Sequence, residues 1–258
     1  RHSGYRGTGG RREAERAGGR EKVKPAVRRD LSEVSAVLQD AGLPAPAPVV
    51  IEALEPMLSA RRLGRIDEVI AGRTDSVTVV LEGLIDPHNV SAILRSADAF
   101  GIQQVQIIEG EEPFVLSSRV TTGAERWLDL HRHCTAAACL AALRQHGFQL
   151  FVAEPGGLLT PEDLPGAAPR LAIAFGNEHQ GVSADLRRLA DGTYSVPMSG
   201  FVESLNVSVA AAITLHAAVR GRAGDLSAQR REQLRARYMM LSTERAESIV
   251  AEYLRRRG

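Results

Sequence analysis

The sequence predicts an α/β protein built on a mainly parallel sheet with helices on both faces, and three observations carry that expectation. From Asp75 onward, short runs rich in β-branched residues alternate with segments of helical periodicity. The run Leu171 to Phe175 is wholly apolar, as a strand covered on both faces is. Three of the predicted strands run into polar, glycine-containing stretches, and open α/β sheets bind ligands beyond the carboxyl ends of their strands.

Taken in order, the chain opens with a glycine- and arginine-rich stretch, Arg1 to about Lys24, which lacks apolar periodicity and reads as a disordered basic arm. Asp30 to Asp40 places Leu31, Val34, Val37 and Leu38 at helical spacing. Gly42 to Pro48, with proline at every second position from Pro44, predicts an extended, semi-rigid link. A helix follows over Leu58 to Ala71, with Leu58, Leu63, Ile66, Val69 and Ile70 apolar and Arg61, Arg62 and Arg65 largely on the opposite face. Strands are expected at Val77 to Glu82, Gln104 to Glu109, Trp127 to His131, Phe148 to Ala153, Leu171 to Phe175 and Tyr194 to Val196. Helices are expected at Asn89 to Phe100, Ala136 to His146, Ala184 to Ala190 and Val207 to Arg220. Two polar helices close the chain, Ser227 to Met240 and Thr243 to Arg256, with Ser227 and either Ser242 or Thr243 as N-caps. The organisation is therefore a basic arm over residues 1–30, a helical extension over 31–75, a catalytic domain over 76–223 and a basic helical extension over 224–258.

A length of 258 residues with 44% hydrophobic composition supports one substantial core with appendages. The longest apolar stretch, Val207 to Val219, is interrupted by Ser208, Thr214 and His216 and is too short to cross a bilayer, which excludes a membrane-spanning reading. No charged-then-apolar leader opens the chain, and two cysteines, Cys134 and Cys139, are too few for a disulfide framework, so a reducing cytoplasm is expected. The first residue is Arg1 rather than Met, so the numbering is compatible with a start inside a longer reading frame. The net charge of +1 hides a partition: residues 1–30 hold ten basic and four acidic side chains, 74–219 eight and sixteen, and 220–258 ten and five. Basic ends around an acidic middle suit a polyanion held by extensions, although solvated tails explain the charge equally well. All but two of the 32 basic groups are arginine, whose planar fork grips phosphate oxygens in pairs. With aromatics at 4%, phosphate or shape recognition is favoured over base stacking.

Three segments carry candidate chemistry. In Leu84 to Arg95, Pro87 constrains entry to a helix, Asn89 reads either as its cap or as one border of a cleft, and Arg95 lies six residues on. In Leu171 to Ser183 an apolar strand runs straight into Gly176-Asn177-Glu178, where glycine permits a close backbone approach and Glu178 either bonds a ligand or caps the next helix. In Tyr194 to Ser208 a loop rich in proline and glycine leads to Ser204-Leu205-Asn206 at the start of a helix of small residues, which suits a ligand at a helix N-terminus. His88 and His179 sit beside these segments with either substrate or solvent roles. His131, His133, Cys134 and Cys139 are close in sequence, but their spacing matches no zinc signature, and no metal is expected. The Gly-x-Gly-x-x-Gly fingerprint follows none of the predicted strands, so any nucleotide-like cofactor is expected in a site of another kind.

In order and spacing, the combination Asn89...Arg95, Phe175-Gly-Asn-Glu178 and Val196-Pro-Met...Ser204-Leu-Asn-Val-Ser208 resembles the three motifs of the SpoU, or TrmH, branch of the SPOUT methyltransferases over roughly Leu58 to Arg222. That resemblance implies a C-terminal trefoil knot holding S-adenosyl-L-methionine, a connection that ordinary chain-path rules argue against. It implies a cofactor pocket lined by Ala153, Gly176, Val196, Met198, Ser204 and Leu205, and a catalytic face of Asn89, Arg95, Glu178 and Asn206. It further implies a homodimer with active sites at the subunit interface and methylation of an RNA ribose 2'-hydroxyl. Arg62, Arg65 and Arg73, with Arg220 and Arg222, resemble the RNA-binding arginines of the branch that methylates guanosine 18 in the tRNA D loop, which makes tRNA the expected partner. A 23S ribosomal RNA substrate, or a catalytically silent RNA-binding member of the fold, are the alternatives. Arginine stays protonated near neutral pH, so Arg95 is expected to orient the hydroxyl and stabilise developing alkoxide charge in concert with a substrate phosphate.

Overall fold

The computed structural model describes residues 42–109, 123–178, 180–222 and 224–257. The expected basic arm, the expected helix at Asp30 to Asp40, and His179 lie outside those residues. The centre is a six-stranded sheet: β1 (Thr74–Glu82), β2 (Ile102–Ile108), β3 (Asp129–His133), β4 (Gln149–Ala153), β5 (Leu171–Phe175) and β6 (Gly192–Tyr194). The spatial order is β3-β2-β1-β5-β4-β6, and every pairing is parallel. Side chains alternate across the pleat, so each strand feeds two cores. Val77, Val79, Leu81, Leu171, Ile173 and Phe175 face one layer; Val80, Ala172 and Ala174 face the other.

The first layer holds α3 (Pro87–Ala99), α5 (Leu164–Ala167) and α7 (Val207–Ala218), with Ile93, Leu94, Leu164, Ala211 and Leu215 buried against the sheet. On the opposite face lie α4 (Ala136–Gln145) and α6 (Ala184–Leu189), contributing Cys139, Leu140, Leu143 and Leu186. A third core joins both ends of the described chain: α1 (Ala47–Leu54), α2 (Ala60–Gly72), α8 (Ala228–Ser242) and α9 (Ala246–Arg257) bury Val50, Leu54, Ile66, Ile70, Leu234, Met239 and Val250 together. Polar contacts fasten this helical layer to the sheet and to α3. Asp129 at the start of β3 is gripped by Arg230 and Arg237. Tyr238 Oη donates to Gln103 Oε1 at 2.9 Å, and Arg73 pairs with Asp98 at 2.5 Å.

Several expected boundaries shift for local reasons. The Gly42 to Pro48 link turns helical at Ala47, because Pro46 stands at the N-cap and Pro48 falls in the first turn, where a missing amide costs nothing. Strand β3 starts two residues late, since Ala124–Trp127 forms a short helical turn closed by Leu128 N donating to Glu125 O. Strand β6 starts and ends two residues early: the chain then leaves β4 as Ser195 N bonds Leu159 O instead. Asp86, not Asn89, caps α3, its carboxylate accepting from the His88 amide. Ser183, not Glu178, caps α6, and Ser227 caps α8 as expected. Ser242 and Thr243 do not cap the last helix; their hydroxyls bond back to Tyr238 O and Met239 O, and α9 begins after Arg245 at φ 55°. Among the described residues, no helix is long and apolar enough to cross a membrane.

Candidate active site

Strands β1 and β5 are neighbours at the centre, yet the chain leaves β1 toward β2 and reaches β5 only after β4. Such a reversal in strand order opens a crevice beyond the carboxyl ends. The loop after β1 and the loop after β5 meet there, and the segment after β6 joins them from the far edge. Asn206 Nδ2 donates to Asn89 Oδ1 at 3.0 Å, and Asn89 Nδ2 donates to Glu178 Oε1 at 3.0 Å. Three residues from three separate segments thus form one hydrogen-bonded chain. Asn89 is 7% exposed, so its amide is committed to this link rather than to solvent.

Glu178 also accepts the backbone amides of Ile85 and Asp86, each at 3.4 Å. Desolvation by itself raises the Glu178 carboxyl, but the Asn89 amide and the backbone donors outweigh it and hold it below the usual carboxylate range. The group is therefore an anion at neutral pH. Asn206 doubles as the N-cap of α7: its Oδ1 accepts the Ser208 amide at 2.8 Å and the Ser208 hydroxyl at 2.6 Å. Its two ends hold different elements, which fixes the amide orientation. Arg95, by contrast, stands exposed on α3 and takes no part in the Asn206, Asn89 and Glu178 chain.

Three of the expected cofactor residues stand at the carboxyl ends of β5, β4 and β6. Gly176 is buried directly after β5, Ala153 ends β4, and Val196 follows β6. Ser204 and Met198 are exposed while Leu205 is half-buried, on the loop between β6 and α7. A Cβ on Gly176 would lie 2.1 Å from the Gly181 carbonyl carbon, and one on Gly157 would lie 2.4 Å from that of Tyr194. Both loops therefore close on bare backbone. Glycine backbone and half-buried apolar side chains beside an open edge fit a cofactor with an adenine ring and an aliphatic arm, held through main-chain groups.

Two of the five expected RNA-binding arginines are engaged inside the protein. Arg73 is 1% exposed and bonds Asp98 Oδ1 together with the Asp98 and Ile102 carbonyls. Arg222 donates to the carbonyls of Pro165, Ala168 and Pro169. Neither guanidinium can turn to a phosphate without breaking these bonds. Arg65 is exposed beside Glu68, Arg220 is exposed, and Arg62 lies over the Trp127 ring while bonding Ser242 Oγ. His88 is exposed at the start of α3. His133 Nε2 pairs with Gln106 Oε1 at 2.8 Å, Cys134 is exposed, and burial pushes the Cys139 thiol up to about 12. Among the described residues, no three His, Cys, Asp or Glu side chains converge on a point that a metal ion would fill.

Three residues that the sequence reading passed over belong to the site's framework. Asn177 Nδ2 donates to Gly83 O at 2.9 Å, and its Oδ1 accepts the Gln180 amide. Ser183 bonds the Glu82 carboxylate through both its amide and its hydroxyl. Asn177 lay within the singled-out segment and its polarity was a usable signal; Glu82 ends a strand, and nothing in its neighbours marks it.

A parallel sheet with a crevice at its central reversal, floored by glycine backbone and bordered by an amide and carboxylate chain, defines an α/β enzyme of the cofactor-binding kind. The model of the SpoU rRNA methylase family matches residues 76–216, and the chain belongs to that family. A tRNA (guanosine(18)-2'-O)-methyltransferase of Thermus thermophilus is 36% identical over 162 residues, 62% of this chain and 83% of its own length. A 23S rRNA (guanosine-2'-O-)-methyltransferase of Shewanella oneidensis is 36% identical over 161 residues, 61% of this chain and 64% of its own. Among solved structures, the A. aeolicus TrmH/SpoU tRNA modifying enzyme matches with a TM-score of 0.62 and 27% identity, over 72% of this chain and 98% of that one. The methyltransferase AviRb of Streptomyces viridochromogenes, solved with S-adenosylmethionine, matches with a TM-score of 0.52 and 30% identity, over 60% and 64%.

Proposed function

We propose that this chain, an RNA 2'-O-methyltransferase of the SpoU family with S-adenosylmethionine as methyl donor, acts on tRNA at guanosine 18 of the D loop. The observation that carries the reading is the Asn206, Asn89 and Glu178 chain, which draws all three motif loops onto one point. Bound in the crevice, the cofactor supplies an activated methyl group with its own leaving group. The chain's residues supply position: Glu178 and Asn89 hold the loop after β5 against the loop after β1, and Asn206 fixes the start of α7. Ala153, Gly176, Val196, Met198, Ser204 and Leu205 line the cofactor side, and the β6 to α7 segment follows the trefoil path that the family resemblance implies. Arg95 orients the ribose hydroxyl and stabilises the alkoxide charge as its proton passes to substrate phosphate.

The share of each relative that aligns favours tRNA over ribosomal RNA. The alignments cover 83% of the Thermus tRNA enzyme but 64% of the Shewanella ribosomal enzyme, at equal identity. Residues 76–223 serve as the catalytic unit. The flanking helices present Arg62 and Arg65 to RNA, with Arg220 at the end of α7. We place the activity in the cytoplasm, with its substrate. Mapping ribose methylation in total RNA with and without the protein tests this: signal at guanosine 18 of tRNA supports it, and signal confined to 23S ribosomal RNA sinks it.

A homodimer completes the site. Helix α7 is apolar nearly all round, yet Val209 and Ile213 stand 47% and 40% exposed, and Phe201 and Val202 in the loop before it are fully and largely exposed. A second copy covering this stripe carries its own Arg95 to the Asn89 and Asn206 of its partner. Mixing inactive Arg95→Ala and Asn206→Ala proteins should then restore about a quarter of wild-type activity, because about half of all dimers are mixed and each mixed dimer holds one intact site of two. Zero recovery would place Arg95 and Asn206 of one site on the same subunit.

A further inference from the structure

The loop between β5 and α6 is tied to the end of β1 at both of its ends. At the start, Asn177 bonds Gly83 O and Glu178 accepts the amides of Ile85 and Asp86. At the finish, Glu82 Oε2 accepts the Ser183 amide at 2.7 Å and Oε1 accepts the Ser183 hydroxyl at 2.8 Å. Charge-assisted bonds of this length are the strong kind, and two to one residue fix direction as well as distance. Ser183 already caps α6 through the Leu186 amide at 3.1 Å, so its partnership with Glu82 is additional to its helix duty. Glu82 is half-buried at the end of a strand whose neighbours β2 and β5 hold it from either side. The anchor is rigid; the loop that it holds is short and carries both Gly176 and Glu178.

We infer that Glu82 is a positioning residue for methyl transfer, its carboxylate setting the Gly176 to Ser183 loop through Ser183 and thereby placing Glu178 and the cofactor-facing backbone. It touches neither cofactor nor RNA. The role rests on the S-adenosylmethionine reading of the crevice. Without the tether, α6 has one short turn-and-a-half of helix to hold that end of the loop, and the bonds that remain between the loop and the β1 side are those at the Asn177 and Glu178 end.

The test is calorimetric titration of S-adenosylmethionine into wild type, Glu82→Gln, Ser183→Asp and the double variant, with kcat, KM and the melting temperature of the free protein measured alongside. Ser183→Asp keeps a good N-cap but sets two carboxylates face to face, so cofactor affinity should fall about ten-fold while melting and RNA affinity hold. Glu82→Gln, which keeps the volume and one acceptor, should lose less. In the double variant the glutamine amide donates to the new aspartate, and affinity should return to within about three-fold of wild type. Unchanged affinity in Ser183→Asp, or a double variant no better than Ser183→Asp, overturns the positioning role. Absence of binding by wild type would overturn the methyl-donor reading itself.

Discussion

Glu178 and Arg95 show how differently two residues of one motif set are treated by their surroundings. Glu178 is held as an anion by Asn89 Nδ2 and the amides of Ile85 and Asp86, which depress its proton affinity despite partial burial. A depressed folded-state pKa contributes stability above the unfolded value and loses it as pH falls through the folded value. Cofactor affinity should therefore stay flat from pH 8 down to about 5 and fail only in more acid solution. A decline centred between pH 6 and 7 in a binding titration would contradict this. Arg95 stands exposed on α3, and the role proposed for it uses a planar fork that lysine cannot reproduce. Arg95→Lys is expected to lower kcat by at least about 100-fold with RNA affinity near wild type, read by single-turnover methylation and filter binding. Pattern alone marked Asn89, Glu178 and Asn206 as polar residues that open helices or follow an apolar strand, with capping an equal reading, and the family resemblance grouped them. The internal bonds of Arg73 and Arg222 were not legible, since a basic residue at a helix end looks the same whether it meets phosphate or, as here, a half-buried carboxylate or loop carbonyls.

At the scale of elements, the site is made by loops that close on backbone. Gly176 packs against Gly181 with no room for a methyl group. Gly176→Ala must push the Gly181 end of the loop away, which should cost about 1–3 kcal/mol of stability and remove cofactor binding. Chemical denaturation with a parallel cofactor titration checks both; a variant that binds normally would show that the loop is more compliant than its contacts imply. The strands and most helices were legible from periodicity, because each buries a regular face. Boundaries failed where one side chain or one proline decided the outcome: Asp86 took the cap expected of Asn89, and Pro48 sat inside a helix rather than ahead of one. The link over Gly42 to Pro48 read as extended since prolines at alternate positions satisfy both a polyproline run and a helix's first turn.

For the whole molecule, the question is how the helical layer stays on the catalytic sheet. Asp129 is 6% exposed and is bonded by both Arg230 and Arg237, while Arg237 also bonds the Arg126 and Leu128 carbonyls. Removing the carboxylate leaves two partly buried guanidinium groups facing each other. Asp129→Ala should cost about 3–5 kcal/mol and make the α8 to α9 segment sensitive to protease before the sheet unfolds. Loss of stability with simultaneous cleavage throughout would instead mean that layer and sheet fold as one unit. None of this docking was visible in the sequence, because residues 129 and 230 become neighbours only once the chain has folded. The central claim is methyl transfer to one ribose hydroxyl, and labelled S-adenosylmethionine tests it with two tRNA transcripts, one unmodified and one carrying 2'-deoxyguanosine at position 18. The account predicts one methyl group per unmodified transcript and none on the deoxy transcript; no label on the first, or equal label on both, would contradict it.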